Sequence, residues 1–145
     1  MTTEELAVQM CEMHIDHARF LSYIAAELTK SGESGMLLWL ARQNGDVYAT
    51  DAAEHFGLTP GRVANILKKL EERGFLVREK DPEDQRKVKL SLTPLGERIA
   101  GELSRKMLET NRRVIDFFGQ EDTEELIGLL SKWITAAEAV CKERA

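Results

Sequence analysis

The sequence lacks a long apolar run and is poor in cysteine, with only two in 145 residues. The missing run excludes a membrane span, and the opening Met-Thr-Thr-Glu-Glu is no signal peptide, so we expect a cytoplasmic protein. Cys11 and Cys141 lie near opposite ends, and in a reducing compartment we expect free thiols. There is no Gly-rich phosphate loop or nucleophile elbow, and the three histidines lack a triad context. We therefore predict neither an enzyme nor a cofactor.

Positive charge is also scarce, since the net charge is −5 and the isoelectric point is near 5.3. Taken alone, this balance argues against non-specific nucleic-acid binding. The distribution is uneven, because residues 59–89 contain nine Lys or Arg against six Asp or Glu. The rest of the chain is net acidic. The basic segment is therefore where a polyanion-binding surface is to be sought.

The spacing of apolar residues predicts a mainly helical fold. Residues 4–29 repeat apolar positions at three- and four-residue steps, and the segment 31–35, Ser-Gly-Glu-Ser-Gly, is expected to end that helix. A short apolar helix is predicted over 36–42. The next is expected from an N-cap at Thr50 to Phe56, with Gly57 as its stop signal. Between them, residues 46–49 are predicted to be an extended link.

Thr59 as N-cap and Pro60 at the first helical position predict another helix, which ends at Arg73-Gly74. Two strands are expected next, over 75–79 and 87–92, since the second alternates apolar and polar residues. Thr93-Pro94 is expected to begin a long helix that reaches Phe118. Asp122 and Glu125 offer a capping box for a last, apolar-striped helix.

Two short helices followed by a two-stranded hairpin is the element order of a winged helix-turn-helix. The second helix of this motif enters the major groove of DNA, with its N-terminal residues at the base edges. Arg pairs with guanine and Asn with adenine, so Arg62 and Asn65 are the base-reading candidates. Further DNA-binding candidates along this helix are Thr59, Pro60, Gly61, Lys68, Lys69 and Arg73. The alternative is a merely solvated helix face, but the hairpin directly downstream favours DNA.

Residues 58–97 resemble the DNA-binding core of the MarR (multiple antibiotic resistance regulator) family. The family pattern Leu-Glu-x-x-Gly-Leu/Phe-Val is matched by residues 70–77, LEERGFLV, and Leu-Thr-x-x-Gly by residues 92–96, LTPLG. The wing pattern Asp-x-Arg is matched by Asp84-Gln85-Arg86. Many relatives carry small hydroxyl residues and an Arg where this chain has Arg62, Ala64 and Asn65, so base preference is not carried over.

The resemblance implies an obligate homodimer that binds a pseudo-palindromic operator in double-stranded DNA, commonly as a repressor. It implies an N-terminal dimerisation helix in 1–35, a winged helix-turn-helix lobe in 36–93 and C-terminal dimerisation helices in 94–145, together one compact domain. Carried over, Arg86 is the wing-tip arginine that enters the minor groove, and Asp84 is its salt-bridge partner. Lys87 adds a basic residue to the wing. The alternative for the wing residues is an ordinary acidic turn.

Family members commonly respond to small aromatic or phenolic anions, metals or oxidants. Residues that could contribute to an effector pocket are His14, His17, Arg19, Met36 and Trp39. Each of these is as readily a core residue as a ligand contact.

The position of Cys11 on the first helix is similar to that of the sensing cysteine in the family's organic-hydroperoxide branch, and Cys141 could pair with it between subunits. Against this, Glu12 and Asp16 disfavour a thiolate at Cys11, and Cys141 fits a small buried apolar position. A metal-responsive regulator is a further alternative. Cys11, His14 and His17 step by three along one helix but span a wide arc, so no metal site is predicted.

The sequence therefore favours a DNA-binding transcriptional regulator that responds to a ligand. The competing classes are an enzyme and a winged helix that mediates only protein contacts. The net positive segment 59–89 and Arg86 argue against the last of these.

Overall fold

The structure is a computed structural model that describes residues 1–17 and 32–143, except for the side chain of His14. Its described helices are α1 (Thr3–Asp16), α2 (Glu33–Ala41), α3 (Ala49–Phe56), α4 (Pro60–Glu72), α5 (Pro94–Phe118) and α6 (Gln120–Glu143). Its strands are β1 (Val47–Tyr48), β2 (Leu76–Lys80) and β3 (Val88–Leu92). The mainly helical fold class with a small β wing is confirmed. The part of the first predicted helix beyond residue 17 lies outside the described residues.

The chain divides into two compact units, Met1–Leu103 and Ser104–Ala145. The first unit contains the winged helix-turn-helix and its hydrophobic core. The side chains that share this core are Met36, Leu37, Leu40, Val47, Ala52, Val63, Ile66, Leu67, Leu70, Phe75, Leu76, Leu90 and Ala100. They come from α2, α3, α4, all three strands and the start of α5. One apolar cluster therefore fixes α4 relative to the hairpin.

The strands form an antiparallel sheet in the order β1-β3-β2, with β3 in the centre. Tyr48 of β1 lies opposite Lys89, and Glu79 of β2 lies opposite the same lysine. The sequence predicted only the hairpin and an extended link at 46–49. That link is a third strand, because its two residues pair with β3 some forty residues further along the chain, a contact with no local signal.

Three predicted helix starts are wrong. Residues 33–35 are helical rather than a break, because Gly32, with its left-handed backbone (φ +78°), is the N-cap and the helix begins at Glu33. α3 begins at Ala49, one residue before Thr50. Its N-cap is Tyr48, whose backbone N–H donates to the side chain of Asp51 at 2.8 Å. α6 begins at Gln120, directly after the left-handed Gly119 (φ +103°), so Asp122 lies inside it.

The starts of α4 and α5 agree with the sequence. The hydroxyl of Thr59 accepts the N–H of Arg62 at 3.3 Å, and Pro60 occupies the first turn. The hydroxyl of Thr93 accepts the N–H of Gly96 at 3.0 Å and donates to the carbonyl of Gly74 at 2.6 Å. Thr93 thus ties the start of α5 to the turn after α4.

The second unit contains the C-terminal part of α5 and the whole of α6. Along its described length, Gln120–Glu143, α6 has no buried residue in this chain, although its sequence is rich in Leu, Ile and Val. No described helix is long and apolar enough to cross a membrane.

Candidate nucleic-acid interface

α4 has one buried face and one exposed polar face. Val63, Ile66, Leu67 and Leu70 point into the core and hold the helix in place. The opposite face is exposed and contains Gly61, Arg62, Asn65, Lys68 and Lys69. Because these positions are three or four apart, their side chains form one strip along the helix. Packing thus presents to solvent the residue types that pair with bases and phosphates.

Not all of the basic side chains on α4 are equally accessible to a polyanion. Arg62 and Lys69 form no ion pair among the described residues, whereas Lys68 lies 3.8 Å from Glu72. That pair is exposed on both sides and contributes little to stability, so Lys68 can exchange it for a phosphate.

Arg73 has a structural partner at the end of α4. Its guanidinium donates to Glu33 at 2.8 Å and stacks over the ring of Phe75, 4.8 Å from the centroid. Glu33 is largely buried at the start of α2, so this contact ties the two helices. The assignment of Arg73 to a phosphate remains a prediction, and the side chain already has a role in the fold.

A second ion pair joins α4 to the hairpin. Arg78 of β2 donates to Glu71 Oε2 from Nε at 3.0 Å and from a terminal nitrogen at 2.6 Å, and its backbone N–H donates to Glu71 Oε1 at 3.3 Å. These hydrogen bonds lower the pKa of Glu71, an effect opposed by its partial desolvation. Sequence reasoning missed this pair, although Glu71 is the glutamate of the Leu-Glu-x-x-Gly pattern.

The wing loop, residues 81–87, is exposed from Pro82 onward and is internally hydrogen-bonded. Asp81 Oδ1 accepts the backbone N–H groups of Glu83 at 2.8 Å and of Asp84 at 3.1 Å. The backbone N–H of Asp81 donates to the carbonyl of Lys87 at 2.9 Å and closes the loop. Asp-Pro turns of this kind use the carboxylate in place of a backbone acceptor.

The predicted salt bridge between Asp84 and Arg86 is not formed. Asp84 Oδ1 instead accepts the backbone N–H of Arg86 at 3.1 Å. The physical reason is that a backbone donor two residues on is within reach of a short side chain at little loss of freedom. The guanidinium of Arg86 forms no ion pair within the described ranges. Asp84 therefore orients the backbone at Arg86 and does not hold the guanidinium group.

The hairpin's basic strand face is partly occupied. Lys89 pairs with Asp46 at 2.5 Å, and this hydrogen bond is the main reason that the pKa of Lys89 is raised. Lys87 lies over the ring of Tyr48, 5.5 Å from its centroid. Lys87 is exposed at the end of the wing loop, directly before β3, so its ammonium group can reach a phosphate.

Of the residues predicted to line an effector pocket, the structure describes the side chains of Met36, Trp39 and His17. Met36 is 1% exposed and belongs to the core, while Trp39 is half-buried and stacks on His55 at 5.1 Å. His17 is exposed at the end of α1, nothing is described for the His14 side chain, and Arg19 lies outside the described residues. The effector pocket therefore remains a prediction.

The two cysteines are exposed free thiols. The expectation that Cys141 is buried does not hold within the chain. Across residues 1–17 and 32–143, no group of three potential ligands is placed to hold a metal ion. Redox sensing through Cys11 and Cys141 stays a prediction.

A helix with an exposed polar and basic face, packed on a second helix and followed by a hairpin wing, defines a winged helix-turn-helix protein. Residues 31–88 match the sequence model of the MarR family. The resemblance to this family is therefore confirmed over these residues.

A sequence relative agrees with this assignment. The transcriptional regulator SarZ of Staphylococcus epidermidis is 31% identical over 84 residues, which are 57% of this chain and 54% of SarZ. The chain thus spans about half the length of this curated relative.

Two solved structures have the same fold. A crystal structure of MarR has a TM-score of 0.70 at 22% identity and covers 99% of this chain and 95% of that one. A crystal structure of the Staphylococcus aureus MepR–DNA complex has a TM-score of 0.67 at 20% identity, covering 94% and 99%.

Proposed function

We propose that the protein is a DNA-binding transcriptional regulator that binds a pseudo-palindromic operator as a homodimer. The observation that carries the proposal is the two-faced α4, whose apolar side is fixed in the core while Arg62 and Asn65 are exposed near its N-terminus. A helix held in this way can enter a major groove without losing its own packing.

The roles we propose within the interface follow from exposure and pairing. Arg62 and Asn65 read base edges from the first turns of α4. Lys69 and Lys68 contact phosphates, and Thr59, Pro60 and Gly61 bring the helix N-terminus close to the backbone. Arg86 extends from the wing into the minor groove, where a narrow groove attracts arginine. Lys87 supports it at the next phosphate.

Homodimerisation is proposed from the second unit. α6 exposes Leu126, Leu129, Leu130, Trp133, Ile134 and Val140, each between about two fifths and three fifths accessible. A 24-residue helix with no buried side chain leaves a contiguous apolar face, which in a soluble protein marks an interface. We propose that a second copy supplies a matching face under two-fold symmetry, which predicts a pseudo-palindromic operator.

We propose repression by promoter occlusion, relieved by a small aromatic or anionic effector, as the mode of action. Support for this part comes from the family resemblance alone.

The DNA-reading role of α4 is tested with the promoter fragment of the protein's own gene in competition gel shifts. Arg62→Ala is expected to weaken specific binding, and Arg62→Lys to retain phosphate attraction but lose discrimination between bases, because Lys lacks the bidentate fork. The expected loss of discrimination is about 1–3 kcal/mol per site. Arg113→Ala, on α5 in the second unit, is the charge-matched control. Arg62 variants that discriminate as well as wild type would contradict the assignment.

A further inference from the structure

One side-chain contact connects the wing loop to a strand outside the hairpin. The hydroxyl of Tyr48, in β1, donates to Asp81 Oδ2 at 2.8 Å across 33 residues of sequence. Asp81 is the first residue of the loop after β2. The contact thus anchors the base of the wing to β1, one of the two edge strands of the three-stranded sheet.

Asp81 also connects the contact with Tyr48 to the wing tip through hydrogen bonds. While one carboxylate oxygen accepts from Tyr48, the other accepts the N–H groups of Glu83 and Asp84. Asp84 in turn accepts the N–H of Arg86, and its carbonyl accepts the N–H of Lys87. A continuous series of hydrogen bonds therefore leads from the Tyr48 hydroxyl to the backbone of Arg86.

The electrostatics agree with this series. The hydrogen bond from Tyr48 and the two backbone N–H groups lower the pKa of Asp81, so the carboxylate is the form that holds the loop. The same hydrogen bond raises the pKa of the Tyr48 hydroxyl, which keeps it a donor. Lys87 over the Tyr48 ring adds a second contact between β1 and the loop.

We propose that Tyr48 and Asp81 are positioning residues that hold the wing loop in the conformation from which Arg86 binds DNA. The inference rests on the proposed function, and it assigns the pair a task distinct from stability. The loop is exposed from Pro82 to Lys87 and has no hydrophobic anchor of its own, so hydrogen bonds determine its order. Ordering a flexible segment on binding reduces affinity, and a loop already ordered avoids that loss.

The expected loss of DNA affinity follows from the conformational freedom of the wing loop that Tyr48 and Asp81 remove. Each immobilised side chain or short segment is worth about a threefold to tenfold change in affinity. A homodimer uses two wings on one operator, so the factor applies twice.

The test compares two variants with a charge-matched control. Tyr48→Phe removes the donor without any change of charge and retains the ring beneath Lys87. Asp81→Asn removes one negative charge, and so does Glu83→Gln in the same loop, where the Glu83 side chain makes no hydrogen bond or ion pair within the described ranges. Removing a negative charge near DNA raises affinity by itself. Glu83→Gln should therefore bind as well as wild type or better, whereas Asp81→Asn and Tyr48→Phe should bind more weakly.

A double-mutant cycle with Arg86→Ala separates positioning from general damage. If the pair acts through Arg86, Tyr48→Phe weakens binding about threefold to tenfold per wing in the wild-type background and has almost no effect when Arg86 is alanine. An equal effect in both backgrounds would overturn the proposal, because a structural defect acts whether or not Arg86 is present.

A measurement without DNA keeps this inference distinct from the proposed function. Backbone order parameters from NMR relaxation should fall for residues 83–87 in Tyr48→Phe and Asp81→Asn, but not in Glu83→Gln. Unchanged order in both variants would overturn the positioning role even if DNA binding were intact. If the order falls in these variants but the wild-type protein binds no DNA, the proposed function is overturned. The role of the pair in DNA binding is then overturned with it.

Discussion

Replacement of Gly96 by alanine should destabilise the winged-helix unit, because α5 begins against the backbone of Phe75. A Cβ at Gly96 would overlap the Phe75 carbonyl oxygen and would lie 2.9 Å from its carbonyl carbon and 3.2 Å from its Cα. That carbonyl cannot easily turn away, since it accepts the N–H of Thr93 at 3.0 Å. The glycine of the Leu-Thr-x-x-Gly pattern is therefore explained by a close approach between backbones.

The loss of stability caused by the clash at Gly96 can be isolated by comparison with a second glycine in the same helix. A Cβ at Gly101 would meet nothing within 4 Å, so Gly101→Ala brings only the gain in helix propensity, up to about 1 kcal/mol. To first order, Gly96→Ala brings the same gain together with the overpacking, which typically costs about 1–3 kcal/mol. The free energies of unfolding of the two variants should therefore differ by about this overpacking term.

Urea unfolding monitored by circular dichroism measures the difference, at one protein concentration because a dimer's stability depends on it. We expect Gly101→Ala to be at least as stable as wild type and Gly96→Ala to be less stable than both. Equal midpoints and slopes for the two variants would refute the claim that α5 packs this closely on Phe75.

Two further predictions concern the second unit and the wing. Trp133→Asp should convert a dimer into monomers in sedimentation equilibrium, because it places a charge in the exposed apolar face of α6, whereas Ser131→Asp, on the other side of the helix, should remain dimeric. A dimeric Trp133→Asp protein would exclude that face as the interface. The order of the wing should also persist under mild acid, because the pKa of Asp81 is lowered in the folded protein, chiefly by the hydrogen bond from Tyr48. The stabilising contribution of the Asp81 carboxylate is full above the ordinary aspartate range. It is lost only as the pH falls through the lowered pKa. A side-chain carboxyl carbon shift of Asp81 that titrates within or above the ordinary range would contradict this.

The elements that could be predicted from sequence are those with local signals. Thr59-Pro60 and Thr93-Pro94 specify helix starts through a side-chain acceptor and a missing N–H, so both starts are where the sequence placed them. The position of Leu90 between Lys89 and Ser91 indicated the buried face of β3, because a strand buries every second residue.

Several of the features that escaped prediction depend on partners in other elements of the fold. β1 is too short to be recognised by its own pattern and exists through its pairing with β3. The contacts of Glu71 with Arg78 and of Tyr48 with Asp81 need the folded sheet before the side chains meet. The family pattern identified Asp84 and Arg86 but not their geometry, so a backbone hydrogen bond was mistaken for a salt bridge.

The central claim is that this winged helix binds a specific DNA sequence, and the salt dependence of its binding to its own promoter fragment tests that claim most directly. Affinity is measured by fluorescence anisotropy at several salt concentrations, for the promoter fragment and for an unrelated fragment of equal length. We predict promoter binding that is tighter by about a thousandfold or more and weakens steeply with salt. Lys69→Ala should reduce the slope of this salt dependence by about one, because we propose that Lys69 neutralises a phosphate. Equal affinity for both fragments at every salt concentration, or no binding at moderate salt, would contradict the account.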